Sequence, residues 1–134
     1  VLRNIAALEE EHGLRIGNVF HAGDGNLHPL VLYDAAIEGQ SELAERVAVK
    51  ILDLCIEAGG SLTGEHGVGV DKACSMPKLF GADDLGVMLR VRDAIDPAGI
   101  ANPGKVFPTP RLCGEVPGPY RVHPLESAGL ADRF

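Results

Sequence analysis

Two short glycine-rich segments hold the residues whose types could do chemistry: His21-Ala22-Gly23-Asp24-Gly25-Asn26-Leu27-His28 and Gly64-Glu65-His66-Gly67-Val68-Gly69. Imidazole nitrogens and carboxylate oxygens hold zinc at roughly 2.0–2.2 Å, and three protein ligands leave positions open for a substrate. His21, His28 and Glu65 are the ligands expected on this basis. His66, next in the chain, is expected to point elsewhere and to serve as a base whose pKa a nearby ion would tune. Asp24 reads either as an acceptor that orients an imidazole or as a plain turn residue.

Two histidines with six residues between them are by themselves more often structural. The second segment shifts the balance. A Glu-His dipeptide between glycines, just past a helix, is not how a core is built, and the bland alternative is a solvated loop with an exposed acid. Glycine is entropically costly to order, so glycines at 60, 64, 67 and 69 suggest a backbone wrapped closely around something. Neither segment is a nucleotide fingerprint. Gly64 to Gly69 runs G-x-x-G-x-G rather than G-x-G-x-x-G, and no P-loop pattern occurs. Residue types alone leave three classes open. One is a metal hydrolase, a second a non-haem iron oxygenase with its facial triad, and a third a redox enzyme whose metal holds an oxygen-rich substrate.

The elements that must position these residues are legible from periodicity. Val1, Ile5 and Leu8 recur at helical spacing, and Gly13 follows as a stop. His12 reads as a histidine at the helix C-terminus, favoured there by the helix dipole. Residues 14–21 and 27–33 read as strands, with Asp24-Gly25 between them as a hairpin signal. That turn folds the strands antiparallel and brings His21 near His28. A helix is expected over residues 41–58, with Leu43, Ala44, Val47, Ala48, Ile51, Leu52 and Cys55 on its apolar side and Gly59-Gly60 ending it. A glycine-rich loop covers 61–72. A third helix spans about 83–95, with Leu85, Met88, Leu89, Val91 and Ile95 as its apolar residues and Asp96-Pro97 closing it. Pro108, Pro110, Gly114, Pro117, Gly118 and Pro119 then open a tail without periodicity, which reads as poorly ordered. A helix, a hairpin and two more helices make an α+β fold, helices on a small antiparallel sheet.

Bulk properties exclude several classes. Hydrophobic residues make up 46% of the 134-residue chain, enough for a packed core. A net charge of −7 argues against a nucleic-acid surface, which needs clustered Lys and Arg. No stretch approaches the roughly 18 apolar residues that span a bilayer, and no signal-peptide pattern opens the chain. The chain therefore reads as soluble and cytoplasmic. Of three cysteines, Cys55 is expected to be a buried small hydrophobe, and Cys74 and Cys113 have no metal-type spacing.

Three segments together resemble a known family. Residues 20–29 (FHAGDGNLHP), 59–72 (GGSLTGEHGVGVDK) and 95–108 (IDPAGIANPGKVFP) resemble, in order and spacing, the C-terminal part of FAD-linked oxidases of the glycolate oxidase, D-lactate dehydrogenase and D-2-hydroxyglutarate dehydrogenase type. The resemblance covers residues 1–108 and leaves 109–134 outside. It implies part of a ferredoxin-like cap domain and selects the redox class. His21, His28 and Glu65 would bind a divalent metal (Zn, Mn or Fe) that chelates substrate, and His66 would accept the hydroxyl proton as hydride passes to the flavin. Asn102, within Asn102-Pro103-Gly104-Lys105, would face the flavin, with Lys105 a weaker candidate or a turn lysine. Leu30, two places after the second metal histidine, favours glycolate or D-lactate over hydroxyglutarate. The FAD-binding domain is expected elsewhere, so the chain is a fragment or a split subunit, with an iron–sulfur or other electron-acceptor protein as a further partner. A truncated binding or assembly module and, more distantly, a metal hydrolase are the alternatives.

Overall fold

The computed structural model describes residues 1–108, so the tail expected to be poorly ordered lies outside the described residues. Helix α1 (Leu2–His12) is followed by strands β1 (Arg15–His21) and β2 (Asn26–Leu32), helix α2 (Gln40–Glu57), a short 3₁₀ turn (Ala73–Ser75) running into α3 (Met76–Leu79), and α4 (Ala82–Ile95). Four α-helices and a two-stranded antiparallel sheet give the expected α+β arrangement.

Helix α1 stops at Gly13, whose left-handed backbone lets its N–H bond the Glu9 carbonyl. The chain then turns directly into β1. The two strands pair in a register that sets Ile16 opposite Val31, Gly17 opposite Leu30, Val19 opposite His28 and His21 opposite Asn26. Successive side chains of a strand point to opposite faces, so this register fixes two distinct surfaces. One face carries Ile16 and Val31 and meets the helices. Leu14 and Ile16 join Ile5 and Leu8 of α1 and Ala44, Val47 and Ile51 of α2 in one core, with Val31, Leu43, Leu54 and Cys55 packed around it. The other face carries Val19, Leu30 and Leu32, all more than half exposed, together with His21, His28 and Asn26.

Cys55 is a free thiol at the edge of this core, half-buried rather than fully enclosed, and desolvation pushes its pKa up. At the end of α1, Lys50 reaches across from α2 to Glu11 (3.0 Å) and His12 (2.8 Å). The Lys50 hydrogen bond and charge hold the Glu11 carboxyl below its usual range. An exposed pair of this kind contributes little to stability.

Two regions differ from the sequence expectation. Residues 73–79 form short helical turns with no periodicity to reveal them, although Ala73, Ser75 and Met76 are buried. Helix α4 forms where expected, its N-terminus closed by the Asp84 carboxylate accepting the Gly81 N–H (3.0 Å), yet it buries no residue against the rest of the described chain. Val87, Leu89, Val91 and Ile95 are exposed. Among the described residues no helix is long and apolar enough to cross a membrane.

The contrast between core and α4 is measurable in the isolated chain. Ile5, fully enclosed, should cost about 2–5 kcal/mol of unfolding free energy on replacement by Ala. Ile95→Ala should change it by no more than about 0.5 kcal/mol, as surface substitutions do. Urea denaturation followed by circular dichroism reads both.

Candidate metal centre

The hairpin delivers the two histidines by geometry. A four-residue turn, Ala22–Gly25, joins the strands, closed by the Asp24 N–H donating to the His21 carbonyl (3.1 Å). Gly25 takes a left-handed φ of 67° there, a backbone that glycine adopts without steric penalty. His21 and His28 are not directly opposed: each stands diagonally from the other on the face turned away from the core. Diagonal positions are within reach for large side chains. Their rings meet edge to face with centroids 5.3 Å apart. Asp24 closes the turn through its backbone N–H, and its side chain has no hydrogen-bond partner among the described residues.

The glycine-rich loop then lays Glu65 against this pair. One carboxylate oxygen, Oε1, lies 3.5 Å from His28 Nε2 and 3.2 Å from His66 Nε2. The other, Oε2, accepts a hydrogen bond from Asn26 Nδ2 (3.3 Å). His66 does not point away from this group, as adjacency in sequence had led us to expect. Its ring lies over His28 at a centroid separation of 4.8 Å, tilted by 32°. The reason is local: residues 65 and 66 sit in bends between Gly64 and Gly67 rather than in a strand, so neighbouring side chains need not diverge. His66 remains 71% exposed, whereas His28 is only 18% exposed.

One potential ligand atom from each of His21, His28 and Glu65 lies within 4.8 Å of the other two. An ion bound at about 2.1 Å keeps any two ligand atoms within about 4.2 Å of each other, so a small side-chain rotation closes the set. Among the described residues no Lys or Arg forms an ion pair with Glu65. Imidazoles facing a carboxylate that has no Lys or Arg counter-ion make a donor set that fits a divalent cation.

Asn26 was not singled out from sequence. It falls between the expected strands, next to the Asp24-Gly25 turn signal. The available clue was the two-residue spacing to His28, which places both on one strand face.

Asn102 lies outside this cluster, and no contact joins it to the histidines among the described residues. It lines a separate shallow cavity of about 550 Å³ with Gly69, Arg92, Asp96, Lys105 and their neighbours. The loop that carries it is held at both ends. The Asp96 carboxylate accepts the N–H groups of Ala101 (2.8 Å) and Ile100 (3.1 Å), and Arg92 donates to the carbonyls of Ala101 and Asn102. Beyond it, the Val106 N–H bonds the Gly69 carbonyl (2.7 Å), tying this loop to the end of the segment that bears Glu65.

Comparison with known proteins shows the family. Residues 1–106 match the family described as FAD linked oxidases, C-terminal domain. The chain belongs to that family. Among its relatives, the glycolate oxidase subunit GlcD of Escherichia coli K12 is 48% identical over 123 residues, 92% of this chain and 24% of the relative. The mitochondrial D-lactate dehydrogenase (cytochrome) of Arabidopsis thaliana is 39% identical over 95 residues, 71% of this chain and 17% of the relative. The D-lactate dehydrogenase of Archaeoglobus fulgidus is 37% identical over 101 residues, covering 74% and 21% respectively. The chain thus spans about a quarter or less of the length of the curated relatives it matches.

The clamp at Asp96 has a signed pH dependence. Hydrogen bonds from Ala101 and Ile100, with the Arg92 charge, lower its pKa. Its contribution is therefore present above the unfolded carboxylate value of about 3.9 and is lost as pH falls through the lower folded value. In acid titrations followed by NMR, the Ile100 and Ala101 amides should shift together below that range. Asp96→Asn should abolish the transition.

Proposed function

We propose that this chain is the substrate- and metal-binding region of an FAD-dependent oxidoreductase acting on short D-2-hydroxy acids, glycolate or D-lactate. Residues 1–108 form that region, and the FAD-binding domain lies elsewhere, in cis or as a separate subunit. The observation that carries this reading is the convergence of His21, His28 and Glu65 on one point in a chain of the FAD-linked oxidase family.

His21, His28 and Glu65 would hold a divalent ion, and the Irving–Williams order leaves the choice among Zn, Mn and Fe to geometry and supply. Such an ion supplies Lewis acidity, which lowers the pKa of a coordinated hydroxyl group, and FAD supplies the hydride acceptor. The chain's own residues do the rest. His66, exposed beside Glu65 and stacked on His28, can take the hydroxyl proton on its imidazole. General-base catalysis of this kind contributes about 10²–10⁴-fold. Leu30 stands two residues beyond His28 on the same strand face, opposite Gly17. An apolar residue there favours a small group on C2, hydrogen in glycolate or methyl in D-lactate, over a chain ending in a second carboxylate, which would be left without a partner. Asn102 and Lys105 line the shallow cavity and would present one wall to the flavin.

Metal content tests the ligands. Protein purified without chelator should contain about one divalent ion per chain, and elemental analysis of His21→Ala and Glu65→Ala should find it lost. Full retention in both variants would remove the assignment. His66→Ala should keep the metal and, combined with the FAD-binding domain, lose at least about 10²-fold in kcat for glycolate or D-lactate oxidation.

The flavin claim is checked separately. The purified chain should show no flavin absorbance at stoichiometric level, and a yellow protein with one FAD per chain would contradict it.

A further inference from the structure

The loop that bears Glu65 has no regular structure, yet it must place a carboxylate within ångströms of two strand residues. Its internal clamp is the Gly67 N–H donating to Thr63 Oγ1 (2.9 Å), which shapes the loop without fixing it to the sheet. Among the described residues, one hydrogen bond ties Gly64–Gly67 to the hairpin: Asn26 Nδ2 to Glu65 Oε2. Asn26 is itself firmly placed, because it pairs with His21 as the last rung of the ladder.

A second observation joins the same two segments. A Cβ built on Gly64 would lie 2.2 Å from Asn26 Oδ1, 2.6 Å from its Cγ and 3.0 Å from its Nδ2. Real Cβ atoms do not approach so closely. The amide of Asn26 occupies the space a side chain at position 64 would need, so any larger residue there would have to displace that amide. Gly64 and Asn26 are two halves of one contact, and Glu65 follows it directly in the chain.

We propose that Asn26 is the positioning residue for Glu65: its amide docks the backbone at Gly64 and takes Oε2, leaving Oε1 turned toward His28 and His66. This deepens, and for its metal consequence rests on, the reading of His21, His28 and Glu65 as a metal centre. The chemistry suits an amide. A neutral donor orients the carboxylate without neutralising it, as a Lys or Arg would. An acid at the same place would set two carboxylates face to face.

The test reads the loop without metal first. In ¹⁵N relaxation measurements on the metal-free chain, Asn26→Asp should lower the order parameters of the Gly64–Gly67 amides while leaving those of β1 and β2 unchanged. The double variant Asn26→Asp with Glu65→Gln exchanges donor and acceptor and should restore them. A merely structural role for Asn26 predicts no such rescue. With Co²⁺ as the probe, Asn26→Ala should weaken binding about 10- to 100-fold, as loss of a group supporting a metal ligand does. Gly64→Ala should weaken it similarly, and the two together by less than the product of the single effects, since both break one contact. Unchanged loop order in Asn26→Asp, or a double variant as mobile as the single, overturns the proposal. Wild-type chain that binds no Co²⁺ yet shows the expected loop response would instead remove the metal reading and leave Asn26 as the anchor of Glu65.

Discussion

The two-residue alternation of the β1–β2 hairpin is the constraint on which the rest of this structure depends. Because the register sets Ile16 against Val31 and Val19 against His28, a single ladder separates what stabilises the chain from what does chemistry. On the inward face Ile16 sits in the core and Val31 packs against it. Every residue on the outward face is available to a ligand or another surface. A slip of one residue would reverse both assignments at once, moving the histidines into the core and Ile16 into water. The hydrophobic core thus sets the register of the site as well as the stability of the fold.

The site itself adds little to stability. Glu65 is half exposed and His66 more so, and ion pairs in such surroundings contribute about 0–1 kcal/mol. The hairpin would hold together without them. Yet a strand, a turn and a glycine-rich loop separated by nearly 40 positions of sequence converge there, through Asn26 and Glu65. Convergence without a stability gain is the pattern expected where ligand binding maintains an arrangement. Apolar residues on α4 and on the outward sheet face are likewise exposed among the described residues.

Linkage between loops gives the outward side its order. Asp96 and Arg92 grip the segment that carries Asn102, and Val106 ties it to Gly69. The second chemistry-bearing segment is therefore held at one end by Asn26 and at the other by the loop after α4. Of the glycines in that segment, Gly64 lies where a Cβ would meet Asn26, whereas Gly67 and Gly69 take left-handed backbones with open space around them.

Much of this was legible in the residues alone. The 3.6-residue period of Ile5 and Leu8 and of Ala44, Val47 and Ile51 located both core helices to within about a residue. Asp24-Gly25 between apolar runs located the hairpin, and with it the approach of His21 to His28. The association of His21, His28 and Glu65 followed from residue type and glycine content. Three features were decided only in three dimensions. His66 turned toward Glu65 and His28 because a glycine-flanked bend has no side-chain periodicity to read. The exposure of α4 was hidden, since an apolar row is the same in sequence whether or not the described chain covers it. Asn26 was hidden because its contact with Gly64 and Glu65 lies between segments far apart in the chain. Local propensity and periodicity act over a few residues and are written in the sequence; the meeting of a strand end with a distant loop is set by packing, and only the tertiary structure carries it.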